Sequence, residues 1–377
     1  MRVVDKEILA YNIETRMKKD FEENNVSGVS LIVKQSGKVV YKNHFGTTSP
    51  ENNIPVTDTT MFRLASMTKP VTGVAIMILV DRGLLSIDDE VEKYLPQFSS
   101  VFMLDENGNK VSVDEKITVK HLLTHTSGIG SGPAWVRASK IANRNDKSTI
   151  DNFVSFISQQ PLSYIPGSAS EYSGVAAFTL LTAIIEKLSG KDAESFFRDE
   201  IFIPCGMTDT TFAPSDEQWD RIIAKYDKKD GKGIIGTTSK GCVFGDYPPT
   251  NPLGGAGLVS TLDDYTKFAD MLYNKGVANG RRIISEQSFE IFSTPQISEK
   301  VKPGNQRWGL SVRVITDASY KRLPVGAFGW SGAYGTHFWI DPENEIVAVY
   351  MKNSNYDGGS GAVTASNFEK DVMSALK

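Results

Sequence analysis

The sequence predicts an α/β domain, an antiparallel sheet flanked by N- and C-terminal helices, with a mainly helical domain inserted into it. Strand-like runs occur near both chain ends, helical patterns fill the middle, and 377 residues suffice for two or three domains. Both chain ends therefore contribute to one sheet. We assign residues 1–62 and 280–377 to the α/β domain and residues 63–279 to the helical domain.

The two ends of the chain contain both helical and strand-like hydrophobic patterns. Apolar residues at helical spacing between Val4 and Glu23 predict an amphipathic helix. Two strand-like runs around a short glycine-containing loop then predict a hairpin, Gly28–Lys34 with Lys38–Phe45. Near the other end we predict three strands and a final helix: Arg307–Thr316, His337–Asp341, Glu345–Lys352 and Ala365–Leu376.

The middle of the chain follows the helical period. Its segments are separated by loops rich in glycine, proline and asparagine. A short hairpin over Phe102–Asp114 interrupts them. The predicted helices are Met67–Val80, Val119–Thr126, Ile150–Gln159, Ala176–Leu188, Ala193–Phe202 and Leu262–Asn274.

Composition excludes several classes of function. Lys plus Arg number 41 against 45 Asp plus Glu, a net charge of −4, and no basic cluster is present that could displace counterions from nucleic acid. The longest apolar run, Val71–Val80, is too short to cross a membrane, which takes about 20 residues. The N-terminus lacks an apolar signal region, so we expect a cytoplasmic protein. Two cysteines, Cys205 and Cys242, predict buried free thiols rather than a disulfide framework.

Ser66-Met67-Thr68-Lys69 stands at the start of the most apolar predicted helix. A serine and a lysine three residues apart share one helix face, so the amine can reach the hydroxyl. A serine hydroxyl is a weak nucleophile until a neighbouring base takes its proton. Because Pro70 is tolerated only in the first helical turn, Ser66 lies near the N-terminus, where its N–H can face an oxyanion. The spacing alone recurs at Ser374–Lys377, in a last helical turn where the N–H groups are already used.

Two further segments suggest partners for this pair. Tyr172 lies in a loop just before an apolar helix, where a nearby cation could lower its phenol pKa and make it a base. Residues 328–335 (FGWSGAYG) place several glycines next to a predicted strand. Glycines in a strand mark places where another group approaches the backbone closely, so this strand can offer N–H groups to a substrate carbonyl.

These motifs resemble those of the serine β-lactamase and penicillin-binding protein superfamily, most closely its class C-like branch with the family VIII carboxylesterases. The first motif is similar to Ser66–Lys69, the second to Tyr172-Ser173-Gly174 and the third to Trp330-Ser331-Gly332. Framework segments of the same group resemble residues 81–89, 121–128 and 254–261, so the likeness covers residues 20–375 in the right order.

The resemblance implies an acyl-enzyme mechanism. Ser66 is then the nucleophile, Lys69 and Tyr172 the paired base, and the N–H groups of Ser66 and Ala333 the oxyanion hole. Substrate-binding positions would be Trp330, Ser331, Gly332 and Tyr334. This chemistry uses neither a metal nor an organic cofactor, and its partner is a small-molecule ester or amide. The oligomeric state is left open.

Two departures from the family pattern bear on the substrate. Gly174 stands where asparagine is usual, and Trp330 stands where β-lactamases and peptidases carry a lysine that would pair with a substrate carboxylate. Tryptophan is what the esterase branch shows. We therefore expect a carboxylesterase, with a D-Ala-D-Ala carboxypeptidase, a β-lactamase and an inactive binding module as alternatives. The aromatic residues expected to line the cleft are Trp135, Tyr164, Trp308, Trp330 and Tyr334.

Three other patterns in the sequence are similar to known functional motifs. His121 and His125 have a metal-ligand spacing, yet no further ligand accompanies them, which favours a structural role. Residues 329–333 nearly match a nucleophile elbow with His337 nearby, but such an elbow needs a helix after it and a strand is predicted there. The glycines of residues 254–257 indicate a tight turn rather than a phosphate loop, since no Lys-Ser/Thr pair follows them.

Overall fold

The computed structural model describes residues 1–130, 132, 150–235, 244, 251–354, 356–359 and 362–377. Trp135 and Cys242, two of the residues singled out above, lie outside these ranges. Cys205 lies inside them, and its thiol is buried and free as predicted.

A seven-stranded antiparallel sheet is the largest sheet in the described part of the chain. β2 forms one edge of this sheet and β1 lies between β2 and β15, so strands from both chain ends lie side by side. The predicted fold class is confirmed. The division into two domains at residues 63 and 280 stays a prediction. In spatial order the strands are β11 (Gln306–Trp308), β12 (Arg313–Ile315), β13 (Phe328–Ser331), β14 (His337–Asp341), β15 (Ile346–Met351), β1 (Gly28–Gln35) and β2 (Lys38–Gly46).

The predicted strand Arg307–Thr316 is wrong. Two strands, β11 and β12, occupy it and pair with each other as a hairpin. The chain reverses between them because Ser311 adopts a left-handed φ of 72° and Gly309 packs so closely that a Cβ there would lie 2.4 Å from the Phe292 carbonyl oxygen.

Helices cover both faces of the sheet. α1 (Lys6–Glu22) and α11 (Val363–Met373) pack on one face, where Leu9, Ile13 and Phe368 join a core with Trp339 and Tyr350. The other face carries the larger core, built mainly on the helices of the middle of the chain. None of the described helices is both long and apolar enough to span a bilayer.

The most buried helix is α2 (Thr68–Asp81), which a 3₁₀ turn over Ala65–Met67 precedes. Every residue from Thr68 to Leu79 is buried, as its apolar sequence predicts. The remaining helices are α3 (Val119–Leu123), α4 (Ile150–Ser158), α5 (Ala176–Ser189), α6 (Ala193–Phe197), α7 (Ile203–Cys205), α8 (Asp216–Asp220), α9 (Leu262–Tyr273) and α10 (Glu286–Ser293).

The smaller strands pair two by two. The pair of β3 and β8 is the most important for the candidate site, because it joins the segment before α2 to the segment before α9. The strands of these pairs are β3 (Met61–Arg63), β4 (Phe102–Leu104), β5 (Lys110–Ser112), β6 (Tyr226–Lys229), β7 (Lys232–Ile235), β8 (Val259–Thr261), β9 (Val277–Ala278) and β10 (Arg281–Arg282).

Two predicted helices are shorter than expected. α3 ends at Leu123 rather than Thr126, because His125 takes a left-handed φ of 57° that a helix cannot contain. The predicted helix Ala193–Phe202 is α-helical only to Phe197 and continues as a π-helical turn.

Gly329 tests the packing of the central strands. A Cβ at this position would lie 2.1 Å from the Phe338 carbonyl oxygen and 2.7 Å from the Trp339 Cα, both backbone atoms of β14. Gly329→Ala is therefore expected to lower the free energy of unfolding by about 1–3 kcal/mol, measured by urea denaturation. Gly132→Ala is the matched control, since nothing lies within 4 Å of its added Cβ. A change within about 0.5 kcal/mol is expected there. Equal stability of the two variants would contradict the close approach of β13 to β14.

Candidate active site

Ser66 lies in the tight turn that leads into α2. Ala65 before it has a φ of 47°, a region that non-glycine residues rarely adopt. On the far side of this turn, the Leu64 N–H donates to the Leu258 carbonyl at 2.9 Å and the Leu64 carbonyl accepts from the Thr336 hydroxyl at 2.8 Å. Ser66 is 8% exposed, so a small part of it remains accessible.

Lys69 is fully buried beside Ser66. Its Nζ lies 3.3 Å from Ser66 Oγ and donates to the carbonyl oxygens of Gly174 at 2.6 Å and Gly255 at 2.8 Å. No carboxylate forms an ion pair with Lys69 within the described ranges. Burial therefore holds the pKa of the Lys69 amine well below its ordinary value.

Tyr172 completes the cluster from the loop before α5. Its hydroxyl is hydrogen-bonded to Ser66 and accepts from Trp330 Nε1 at 3.4 Å. Lys69 Nζ lies 4.9 Å from the centre of the Tyr172 ring. The structure thus brings together the three side chains predicted to be catalytic.

The pKa of Tyr172 moves opposite to our expectation. Burial raises it to about 12, although the hydrogen bonds with Ser66 and Trp330 oppose the rise. The amine of Lys69, 4.9 Å from the centre of the Tyr172 ring, itself has a pKa that burial holds well below its ordinary value. At rest Tyr172 is therefore a protonated phenol.

β13 divides the residues of the third motif between two faces of the sheet. Successive strand residues point to opposite sides, so Trp330 packs against Tyr172, with ring centroids 5.4 Å apart, while Ser331 points away. Ser331 is 2% exposed, and its Oγ lies 2.7 Å from His337 Nδ1. The side chain of Ser331 therefore faces away from the cluster, and a contact of Ser331 with substrate stays a prediction.

The nucleophile-elbow alternative does not fit this geometry either. Ser331 is followed by a turn and then β14, so it lacks the helix N-terminus that such an elbow requires.

A glycine is required at position 332, at the end of β13. A Cβ there would lie 2.2 Å from the Leu64 carbonyl oxygen, so β13 ends directly against the turn that carries Ser66. Ala333 follows and is exposed. Tyr334 packs on Phe244, with centroids 5.8 Å apart, and Lys225 lies over its ring at 5.6 Å. The roles of Gly332, Ala333 and Tyr334 toward a substrate stay predictions.

Aromatic rings form one wall of the cluster. Trp308 lies 4.7 Å from Trp330 and 6.1 Å from Tyr172, measured between centroids, and its Nε1 donates to Ser170 Oγ at 3.0 Å. Tyr164 lies behind this wall, where its hydroxyl donates to the His125 carbonyl at 3.1 Å. The predicted aromatic lining therefore consists of Trp308 and Trp330 around Tyr172.

Sequence reasoning missed the groups that hold Lys69. The carbonyls of Gly174 and Gly255 are main-chain acceptors, which every residue carries, so no sequence signal marks them. His125 was assigned a structural role, yet its ring lies 4.6 Å from the ring of Tyr172. His121 caps α3 through its Nδ1, and no cluster of three metal-binding side chains occurs among the residues described.

Comparisons with known proteins show the family of this chain. The model of the Beta-lactamase family matches residues 10–367. The chain belongs to the beta-lactamase family. Among its relatives, Protein Rv1367c of Mycobacterium tuberculosis is 30% identical over 86% of this chain and 85% of its own. Esterase EstB of Burkholderia gladioli is 26% identical over 96% of this chain and 94% of its own.

Solved structures show the same fold. EstCE1, described as a hydrolase with promiscuous acyltransferase activity, superimposes with a TM-score of 0.81 at 22% identity, covering 98% of each chain. The beta-lactamase-family fold therefore extends over nearly the whole chain.

The raised pKa of Tyr172 can be tested by absorbance titration. Because a pKa of about 12 leaves the phenol protonated, wild type and Tyr172→Phe are expected to give superimposable tyrosinate signals below about pH 10. A tyrosinate present in the wild type at neutral pH and missing in the variant would show that the phenol pKa is lowered instead.

Proposed function

We propose that this chain is a serine hydrolase that forms an acyl-enzyme on Ser66, and that it acts as a carboxylesterase. One observation carries the proposal: Ser66 Oγ is in contact with a buried amine, Lys69 Nζ at 3.3 Å, and with the hydroxyl of Tyr172. A hydroxyl between an amine and a phenol is the arrangement that nucleophilic catalysis by serine needs.

Lys69 is the base of the first step. A neutral amine has two N–H bonds and one lone pair. The two carbonyls of Gly174 and Gly255 take the two N–H bonds. The lone pair is then left for Ser66, so Lys69 accepts the Ser66 proton as Oγ attacks the substrate carbonyl carbon.

Tyr172 and the main chain serve the following steps. The N–H groups of Ser66 and Ala333 hold the oxyanion of the tetrahedral intermediate. As the intermediate collapses, the alcohol leaves and takes a proton from the Tyr172 phenol, which the Lys69 ammonium restores. Water then attacks the acyl group by the reverse path, releasing the carboxylic acid and regenerating the Ser66 hydroxyl.

The aromatic wall favours an uncharged substrate. Trp330 occupies the β13 position that would otherwise hold a carboxylate-binding lysine, and Trp308 packs beside it. Aromatic faces bind apolar acyl or alcohol groups. The names of two similar proteins, Esterase EstB and the hydrolase EstCE1, support the same choice.

Active-site labelling tests the proposal directly. The chain is treated with a fluorophosphonate and digested, and the modified residue is identified by mass spectrometry. Ser66 is expected to carry the phosphonyl group. A panel of p-nitrophenyl esters, a chromogenic cephalosporin and D-amino-acid anilides then separates esterase from β-lactamase and peptidase. An unlabelled Ser66 with no turnover of any substrate would point to the binding-module alternative.

Substitutions at the three central side chains are expected to remove turnover without unfolding the chain. Ser66→Ala and Lys69→Met eliminate nucleophile and base, and Tyr172→Phe is expected to lower kcat by about 100- to 10,000-fold. Ser374→Ala is the matched control, because Ser374 and Lys377 have the same spacing far from the cleft. Wild-type rates in Tyr172→Phe would remove Tyr172 from the mechanism.

Trp330 tests the substrate class. Trp330→Lys is expected to lower kcat/KM for p-nitrophenyl butyrate by about 10-fold or more and to raise the relative rate on a carboxylate-bearing cephalosporin. Trp330→Phe is the control, since it keeps an aromatic face and should keep the ester preference. An unchanged ratio of the two substrates in Trp330→Lys would separate Trp330 from specificity.

A further inference from the structure

His125 is bonded to both residues that flank Tyr172. Its carbonyl oxygen accepts from the Glu171 N–H at 3.1 Å, and its Nδ1 accepts from the Ser173 N–H at 3.1 Å. Between these two bonds, the imidazole ring lies 4.6 Å from the Tyr172 ring. One residue therefore fixes the backbone on either side of the phenol and packs on the phenol itself.

The backbone conformation of His125 allows the hydrogen bonds with both Glu171 and Ser173. Its φ of 57° is left-handed and terminates α3. Histidine and asparagine enter this region more readily than most residues. The Tyr164 hydroxyl reinforces the same junction, donating to the His125 carbonyl at 3.1 Å and accepting from the Glu171 N–H at 2.9 Å.

The bond from Ser173 also fixes the imidazole tautomer. A backbone N–H can only donate, so Nδ1 accepts and the ring proton resides on Nε2. Burial holds the pKa of His125 well below its ordinary value, so the ring stays neutral. Its Nε2 is buried without a hydrogen-bond partner among the described residues.

An unpaired buried N–H lowers stability. An apolar ring in this aromatic pocket, 4.5 Å from Trp308 and 5.4 Å from Phe178, would avoid that cost. What an apolar ring cannot supply is an acceptor for the Ser173 N–H. The geometry therefore favours a role for His125 in fixing the loop over a role in stability.

We propose that His125 is a positioning residue, which holds the hydroxyl of Tyr172 against Ser66 by accepting from Ser173 and Glu171 on either side of it. The inference rests on the proposed function, because it gives Tyr172 a part in the reaction. His125 does not touch the reacting atoms in this scheme and acts only through Tyr172.

A pair of variants isolates the Nδ1 contact. In His125→Asn the side-chain oxygen can take the place of Nδ1, whereas in His125→Gln the amide extends past that position. His125→Gln is expected to lower kcat by about 100-fold with KM within about threefold, since a misplacement near 1 Å costs a factor of that size. His125→Asn is expected to retain kcat within about fivefold.

A double-mutant cycle separates positioning from a structural role. In a Tyr172→Phe background, His125→Gln is expected to change the rate of Ser66 labelling by a fluorophosphonate less than about threefold, because the hydroxyl it positions is already gone. A 100-fold loss in that background, or wild-type kcat in His125→Gln alone, would overturn the inference. Wild type that fails to label at Ser66 refutes the proposed function, and this inference with it.

Nitrogen NMR of the histidines reports the tautomer of His125 directly in the wild-type chain. The sequence has four histidines, and at least two of them, His121 and His125, accept a backbone N–H at Nδ1, so their rings are expected to be protonated on Nε2. His125→Asn assigns the signal of His125 among them, because that signal should disappear in the variant. A His125 ring protonated on Nδ1 would contradict the bond from Ser173.

Discussion

The partners of the Lys69 amine are two main-chain carbonyls rather than a carboxylate, and this arrangement determines the electrostatics of the site. Removing a charge from water is costly, and without a counter-charge this cost lowers the pKa of the amine. The Gly174 and Gly255 carbonyls orient Lys69 without stabilising its ammonium form as strongly as an ion pair would. The same burial keeps the Tyr172 phenol protonated. One desolvated pocket thus shifts the pKa of the amine down and that of the phenol up.

The position of Ser66 depends on segments far apart in the chain. The Leu64 N–H donates to the Leu258 carbonyl, and the Leu64 carbonyl accepts from the Thr336 hydroxyl. Gly332 lies so close to the Leu64 carbonyl that a side chain at position 332 would have no room. These contacts hold the turn in which Ala65 takes its left-handed φ. The strain at Ala65 is thus balanced by β13 and by the segment before β8, and Ser66 is aimed by tertiary contacts rather than by helix propensity.

Local signals carried much of the fold and part of the site. The apolar period located α2 and α5 to within two residues, and the contact of Ser66 with Lys69 needs only one helical turn. Tyr172 and Trp330, by contrast, were joined to them through a family resemblance, because spacing along the chain does not bring distant loops together. The orientation of Ser331 was within reach of sequence reasoning, since strand alternation opposes it to Trp330. The burial of the site could not be predicted in this way. The direction of the Tyr172 pKa shift and the carbonyl partners of Lys69 were therefore missed.

The pairing of β1 with β15 has a consequence for the order of synthesis. β1 and β2 are neighbours in the sequence and can pair as soon as both have been synthesised, but the other edge of β1 waits for residues 346–351. That edge belongs to a strand with almost no exposed surface in the finished molecule. Until those residues have been synthesised, this edge is an open template for strands of other chains. The long interval between β1 and β15 in the sequence thus exposes the chain to intermolecular strand pairing during synthesis.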